Sequence, residues 1–389
     1  MGSDDIRRAR FPASASRPVV TPIQPSVVYA SEDADALDAQ YEGRTKGYTY
    51  AREGHPNAEV LAGLIDGMEG AERGIVVGSG MAAVSVALLA NLNAGDHVIG
   101  ADQLYGRSLR LMRDDLPRFG IETSLVDPTD PEGLARAIRP ETQMILLETV
   151  SNPTLRVADL EGAVALARQH GVLLAVDNTF TTPRVIRPFE IGADIVIHSV
   201  TKLLAGHSDA TLGYVAAKDP AVRDRMAILA ATMGTTASPF DCWLAERGLY
   251  SFALRFDRAQ ETAVCLAEAL AGTSGVRRVL YPTRADHPDH NRAMALLGGN
   301  GGNMVSFELE GGRDNVNRFL RATSAIPFAP TLGDIGTTIS HPASSSHRAL
   351  TAAQRADLGM SEGFIRVSVG CEDADALIDT FRTGVAAAQ

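Results

Sequence analysis

Lysine is nearly missing from this chain. It has 389 residues and 36 basic side chains, but only Lys46, Lys202 and Lys218 are lysine. Cysteine is as scarce: Cys242, Cys265 and Cys371 lie far apart with no paired spacing. That excludes a disulfide-stapled framework, and the three read as reduced packing residues of a cytoplasmic protein. Positive charge is in deficit, 36 basic against 47 acidic residues for a net charge of −11. With no Lys/Arg-rich run to offset it, the balance argues against a nucleic-acid surface. No apolar run reaches membrane-spanning length, and the longest, around Val84 to Ala90, is helical in pattern. "MGSDDIRRARF" lacks the apolar stretch of a signal peptide, so the expected location is the cytoplasm. What remains is a soluble globular composition, 45% hydrophobic and 21% charged, at a length suited to two domains.

Residues 1–48 are rich in Pro, Ser and Asp with weak periodicity, and read as an extended arm. Over 49–245 short apolar strands alternate with amphipathic helices: "RGIVVGSG" then "MAAVSVALLANL", "DHVIGAD" then "SLRLMRDDLPRFG", "TQMILLET" then "LEGAVALARQHG", and finally "VLLAVDNT" and "DIVIHSVTK". Continuous apolar strands in that rhythm indicate an α/β fold, a mostly parallel sheet covered on both faces. The rhythm fades near 245. Residues 246–389 begin with a long helix, about Ala253 to Ala271, and continue through the strands "NMVSFELEG" and "GFIRVSVGCED" to a final helix, a smaller α+β domain. The Pro/Gly/Ser-rich stretch from Ile326 to Ser346 reads as a loop near the site.

Ligands of open α/β sheets sit at the carboxyl ends of the strands, and three such ends carry chemistry. "VVGSGMAAVS" turns on glycine into a helix whose free N–H groups suit an anion. Gly78-x-Gly80-x-x-Ala83, with Asp102 placed 22 residues after Gly80, also meets the dinucleotide fingerprint, although the same glycines suit close helix–strand packing. Asp177 ends the apolar strand of "LAVDNTF", where a buried acid needs a cation or donors. Lys202 follows Ser199 and Thr201 at a third strand end. An amine can lose its proton and form a Schiff base, which a guanidinium cannot. Lysine, acid, hydroxyls and an anion-binding turn together make a pyridoxal phosphate site. A nicotinamide dehydrogenase would leave Asp177 and Lys202 idle, and a non-catalytic binding protein would leave the whole set idle.

With these residues in view, "HSVTKLLAGHSD" resembles the cofactor-lysine motif of the Cys/Met-metabolism, or transsulfuration, pyridoxal phosphate enzymes. The likeness extends from about Tyr48 to Asp375 through "YAREGHPN", "GSGMAA", "LYG", "ETVSNPT", "AVDNTF", "SPFDCWLAERGL" and "FIRVSVGCED". The resemblance implies the aspartate-aminotransferase-like fold, type I among pyridoxal phosphate enzymes, and a tetramer made of dimers with shared sites. It implies Lys202 as the Schiff-base lysine and acid/base, Asp177 at the pyridine nitrogen, and the Gly80 and Met81 amides with Ser199 and Thr201 at the phosphate. Tyr50 and Arg52 would reach the phosphate from a neighbouring subunit. Tyr105 would stack on the ring and assist proton transfer, Asn152 would lie near the phenolic oxygen, and Arg366 would grip the substrate carboxylate, with Thr331 beside it.

The family pattern is broken in three places. His55-Pro56-Asn57 replaces the usual Asn-Pro-Thr. Arg107 stands where a small or neutral residue is usual, facing either a distal anion of the substrate or a surface acid. Pro330 occupies a spot where some cystathionine lyases carry a glutamate. "HPDH" at 287–290 reads as a surface loop, not a metal site. The expectation is γ-elimination from a homoserine- or homocysteine-derived amino acid, with γ-replacement as the alternative. The partners expected are a small amino-acid substrate and further copies of the chain, with neither nucleic acid nor membrane.

Overall fold

The protein is described by a computed structural model over residues 14–389. Its larger sheet has seven strands: β1 (Ile75–Val77), β2 (His97–Ala101), β3 (Glu122–Val126), β4 (Thr142–Glu148), β5 (Leu173–Asp177), β6 (Ile195–His198) and β7 (Gly213–Ala217). Their order is β1-β7-β6-β5-β4-β2-β3. Only β7 runs against its neighbours; the remaining pairs are parallel. The apolar runs that predicted two covered faces are the central strands, and every residue of β6 and β7 is buried. This topology brings the ends of β1, β4, β5 and β6 to one edge of the sheet. The smaller sheet is antiparallel, with β8 (Val276–Leu280), β9 (Met304–Leu309), β10 (Thr338–Ser340) and β11 (Phe364–Ser368) in the order β10-β11-β9-β8. Its core closes on Phe307, Phe319 and Phe381, whose ring centroids lie 5.6, 5.7 and 6.2 Å apart. Among the described residues no helix is long and apolar enough to cross a membrane.

Several elements differ from the sequence reading. The arm is not wholly extended: α1 (Ala34–Tyr41) forms within it, capped by Asp33. It is also docked. Asn57 accepts from the Gln24 N–H at 2.9 Å and donates to the Pro22 carbonyl at 3.0 Å, and the Trp243 indole donates to the Thr21 carbonyl. The His55-Pro56-Asn57 departure is absorbed here. His55 Nδ1 takes the capping bond from Ala58 N–H at the start of α2 (Pro56–Glu69). β7 went unread because its buried "GYVAA" sits between polar turns without a following crossover. β10 lies inside the stretch read as loop, too short for an alternation to register.

The surface-loop reading of "HPDH" is overturned. His287 and Asp289 are buried, and Asp289 accepts from Arg156 Nε at 2.6 Å and from the Val157 N–H at 3.0 Å. A paired carboxylate explains the burial; its partner, 133 residues away, is invisible to local pattern. Among the described residues no cluster of three or more His, Cys, Asp or Glu is placed to hold a metal ion. Burial pushes the His287 imidazole down to about 4. The unfolded chain binds that proton near the ordinary histidine value, so this contribution is complete above it and is lost as pH falls toward 4, with a ceiling of about 3 kcal/mol. Thermal unfolding followed from neutral pH down to about pH 5 is expected to show Tm falling, and His287→Asn to shallow that fall. A parallel fall in the variant would assign the acid sensitivity elsewhere.

Candidate active site

At the shared edge of the larger sheet lies a cavity of about 1010 Å³. It is bordered by Gly80, Met81, Tyr105, Arg107, Asn152, Asp177, Ser199, Thr201, Lys202, Thr331 and Arg366, so these predicted site residues come together. Tyr50 and Arg52 do not border it. Both are exposed; Arg52 donates to the Ala231 carbonyl at 3.1 Å and lies 5.4 Å over the Tyr50 ring. Asp102, the acid of the dinucleotide fingerprint, is also outside the cavity lining.

α3 (Gly80–Leu89) starts directly against the end of β6. A Cβ at Gly80 would lie 2.6 Å from Ser199 Cβ, so only glycine permits the approach that turns the helix N-terminus toward Ser199. Thr179 joins the neighbouring strand ends. It donates its hydroxyl to Asp177 Oδ1 at 2.5 Å and its N–H to the same oxygen at 3.0 Å, and its Oγ1 accepts from the Ser199 N–H at 2.8 Å. The Thr201 hydroxyl is engaged with Leu212, donating to its carbonyl at 3.1 Å.

Lys202 Nζ lies 3.4 Å from Thr331 Oγ1. Burial, and then the charge of Arg366, lower its proton affinity below the ordinary lysine value. Arg366 projects from β11 and is 4% exposed. Nη1 donates to Asn152 Oδ1 and Nη2 to the Thr331 carbonyl, both at 2.7 Å, while Nε is buried without a partner. Burial pushes this guanidinium down to about 10. A buried cation with no carboxylate at ion-pair distance among the described residues is set up for an anionic ligand. The opposite wall is α4 (Gly106–Arg110) with Tyr105 at its start. A Cβ at Gly106 would come within 2.3 Å of the Ser346 carbonyl, so the 344–350 segment closes tightly on α4.

Sequence reasoning passed over Glu148, Thr179, Arg110, His347 and Arg348, all of which border the cavity. Glu148 carried the signal that revealed Asp177, an acid closing an apolar strand.

A family profile described as Cys/Met metabolism PLP-dependent enzyme matches residues 5–386. The chain belongs to that family. It is 41% identical over 334 residues to a cystathionine beta-lyase of Bacillus subtilis, covering 86% of this chain and 85% of that one. The solved cystathionine gamma synthase of Xanthomonas oryzae pv. oryzae, in complex with cystathionine, superposes with a TM-score of 0.90 at 36% identity, over 95% of this chain and 93% of that one. A putative O-acetylhomoserine (thiol)-lyase from Campylobacter jejuni, carrying N'-pyridoxyl-lysine-5'-monophosphate at its position 205, superposes with a TM-score of 0.92 at 28% identity, over 97% of both chains. The fold is therefore the aspartate-aminotransferase type, the cofactor is pyridoxal phosphate, and the chemistry is that of transsulfuration lyases and γ-replacing enzymes. The cavity suits this cofactor: one depressed amine, the strand-end carboxylate of Asp177, the Ser199 hydroxyl and a helix N-terminus that only glycine allows.

Proposed function

We propose that the protein catalyses γ-elimination from a homoserine- or homocysteine-derived amino acid, releasing a 2-oxoacid and ammonia. The observation that carries this reading is Lys202, the one lysine among the described residues that borders the cavity shared by Asp177 and Arg366. Pyridoxal phosphate, when bound, supplies an electron sink for charge developing at the substrate Cα. Lys202 would hold its aldehyde, Asp177 its pyridine nitrogen, and Ser199, Thr201 and the Gly80 and Met81 amides its phosphate. Tyr105 would lie against the ring, and Asn152 near the phenolic oxygen. Arg366, with Thr331 beside it, grips the substrate carboxylate as a fork. Lys202 Nζ, whose proton affinity burial lowers, takes the proton from Cα, and Lys202 and the Tyr105 phenol handle the later proton transfers.

Likeness to the cystathionine gamma synthase structure favours γ-replacement as the second reading. A screen of amino acids for 2-oxoacid release separates the outcomes. 2-Oxobutanoate from a homoserine-type substrate supports γ-elimination. Pyruvate from cystathionine would move the reaction to the β-carbon, and product formed only with added thiol would make it replacement.

Arg107 is exposed, borders the cavity and has no ion-pair partner among the described residues. A guanidinium there favours substrates with a distal carboxylate. Because it is solvated, the expected effect of Arg107→Gly is about a two- to fivefold loss of kcat/KM for an O-succinyl ester and for cystathionine, with methionine unchanged. An equal shift for all three substrates would remove Arg107 from specificity.

The site is completed, in this reading, by a second copy of the chain that brings Tyr50 and Arg52 to the phosphate. Exposed Val19, Val20, Ile228, Met233, Tyr250 and Leu254 offer it apolar surface. Arg52→Ala and Lys202→Ala, each inactive, are expected to regain about a quarter of wild-type activity when refolded as a mixture, the share of sites that unite two intact halves. A fully active monomer that survives dilution contradicts this.

A further inference from the structure

Two acids stand side by side in the cavity. Glu148 ends β4 and Asp177 ends β5, and they are register partners across parallel strands, so their side chains leave the same face with backbones about 5 Å apart. Glu148 is 9% exposed, and its Oε1 accepts the Tyr105 N–H at 2.7 Å. Asp177 Oδ1 takes both donors of Thr179. Among the described residues neither carboxylate has a lysine or arginine at ion-pair distance. Lys202, Arg366 and Tyr105 border the same cavity, His198 of β6 acts on Asp177, and Asp102 directly follows β2, the strand on the other side of β4.

Two buried carboxylates this close cannot both keep a negative charge. We propose that, in the cofactor-free protein, Glu148 holds the one proton this pair retains, that Asp177 is its anionic partner, and that cofactor binding releases the proton. Burial, and then the charge of Asp177, push Glu148 well above the usual carboxylate range; burial raises Asp177 too, but the two Thr179 donors and then the charge of His198 offset part of that rise. The proposal rests on the reading that Asp177 faces the pyridine nitrogen. A protonated ring nitrogen there offsets the charge of Asp177 and removes one of the two causes that keep Glu148 protonated. Binding then expels a proton, and affinity gains with rising pH, by at most about tenfold per unit. Any proton taken up by the cofactor itself gives a slope common to all variants.

The test is equilibrium dialysis of the full chain against pyridoxal phosphate from about pH 6 to about pH 9, spanning the range in which a strongly raised carboxyl titrates. Glu148→Gln keeps an oxygen for the Tyr105 N–H and is expected to bind. Its plot of log affinity against pH should rise less steeply than wild type, by up to about one decade per unit. Equal slopes overturn the proposal. Infrared difference spectra of wild type with isotopically labelled glutamate give an independent readout. A protonated-glutamate C=O band present without cofactor and lost on binding supports the assignment, and its absence overturns it. Asp177→Asn separates the two layers. Unchanged affinity there overturns the reading of Asp177 at the pyridine nitrogen, whereas weakened affinity with equal Glu148 slopes overturns the proton-holding role alone.

Discussion

Lys202→Arg is expected to abolish turnover while leaving the fold intact. The substitution keeps length and positive charge but removes the ability to become a neutral amine, since a guanidinium stays protonated at any working pH. Loss of the proton carrier alone costs about 10²–10⁴-fold in rate, and loss of the covalent hold on the cofactor adds to it. The other two lysines cannot substitute. Lys46 pairs with Glu59 at the surface, and Lys218 donates to the Phe189 carbonyl at 2.7 Å. Borohydride treatment of wild type should therefore leave a pyridoxyl adduct that mass spectrometry finds on Lys202 and that is missing from the variant. An adduct on Lys46 or Lys218 in wild type would refute the assignment.

The second large effect is expected at Arg366. Two of its donors are committed to Asn152 and the Thr331 carbonyl, and Nε has no partner. Arg366→Ala removes the counter-charge for a buried carboxylate, a change worth about 2–5 kcal/mol, or about 30- to several-thousand-fold in kcat/KM. Arg366→Lys restores charge without the fork and should recover only part of that loss. The decisive comparison is with ligands. Binding of an amino acid should weaken far more than binding of the matching amine without a carboxylate. If both weaken equally, the arginine acts on packing of the cavity and does not grip the carboxylate. The substitution also leaves Asn152 and Thr331 without their donor, so thermal unfolding of each variant belongs beside the binding data.

The mostly parallel sheet, the succession of apolar strands along the chain and the chemical character of the site were readable from the chain alone. Their signals are local: continuous apolar runs, glycines before a helix, and acids or a rare lysine where a strand gives out. β7 escaped because its burial depends on both neighbours, and "HPDH" was misread because the arginine that pairs Asp289 lies far along the chain.

By itself the sequence determined which residue types close each strand, and therefore that a lysine, an acid, hydroxyls and an anion-binding turn were available. The tertiary structure alone decided which of them meet. Strand order put β4 beside β5 and so set Glu148 against Asp177. Packing of the smaller sheet carried Arg366 to Asn152, 214 residues away, and left Tyr50 and Arg52 outside the cavity formed by their own chain. The reason is physical. Periodicity and strand-end chemistry are properties of a few neighbouring residues, whereas the partner of a buried charge is chosen by which surfaces can be desolvated together, and that choice is made between elements.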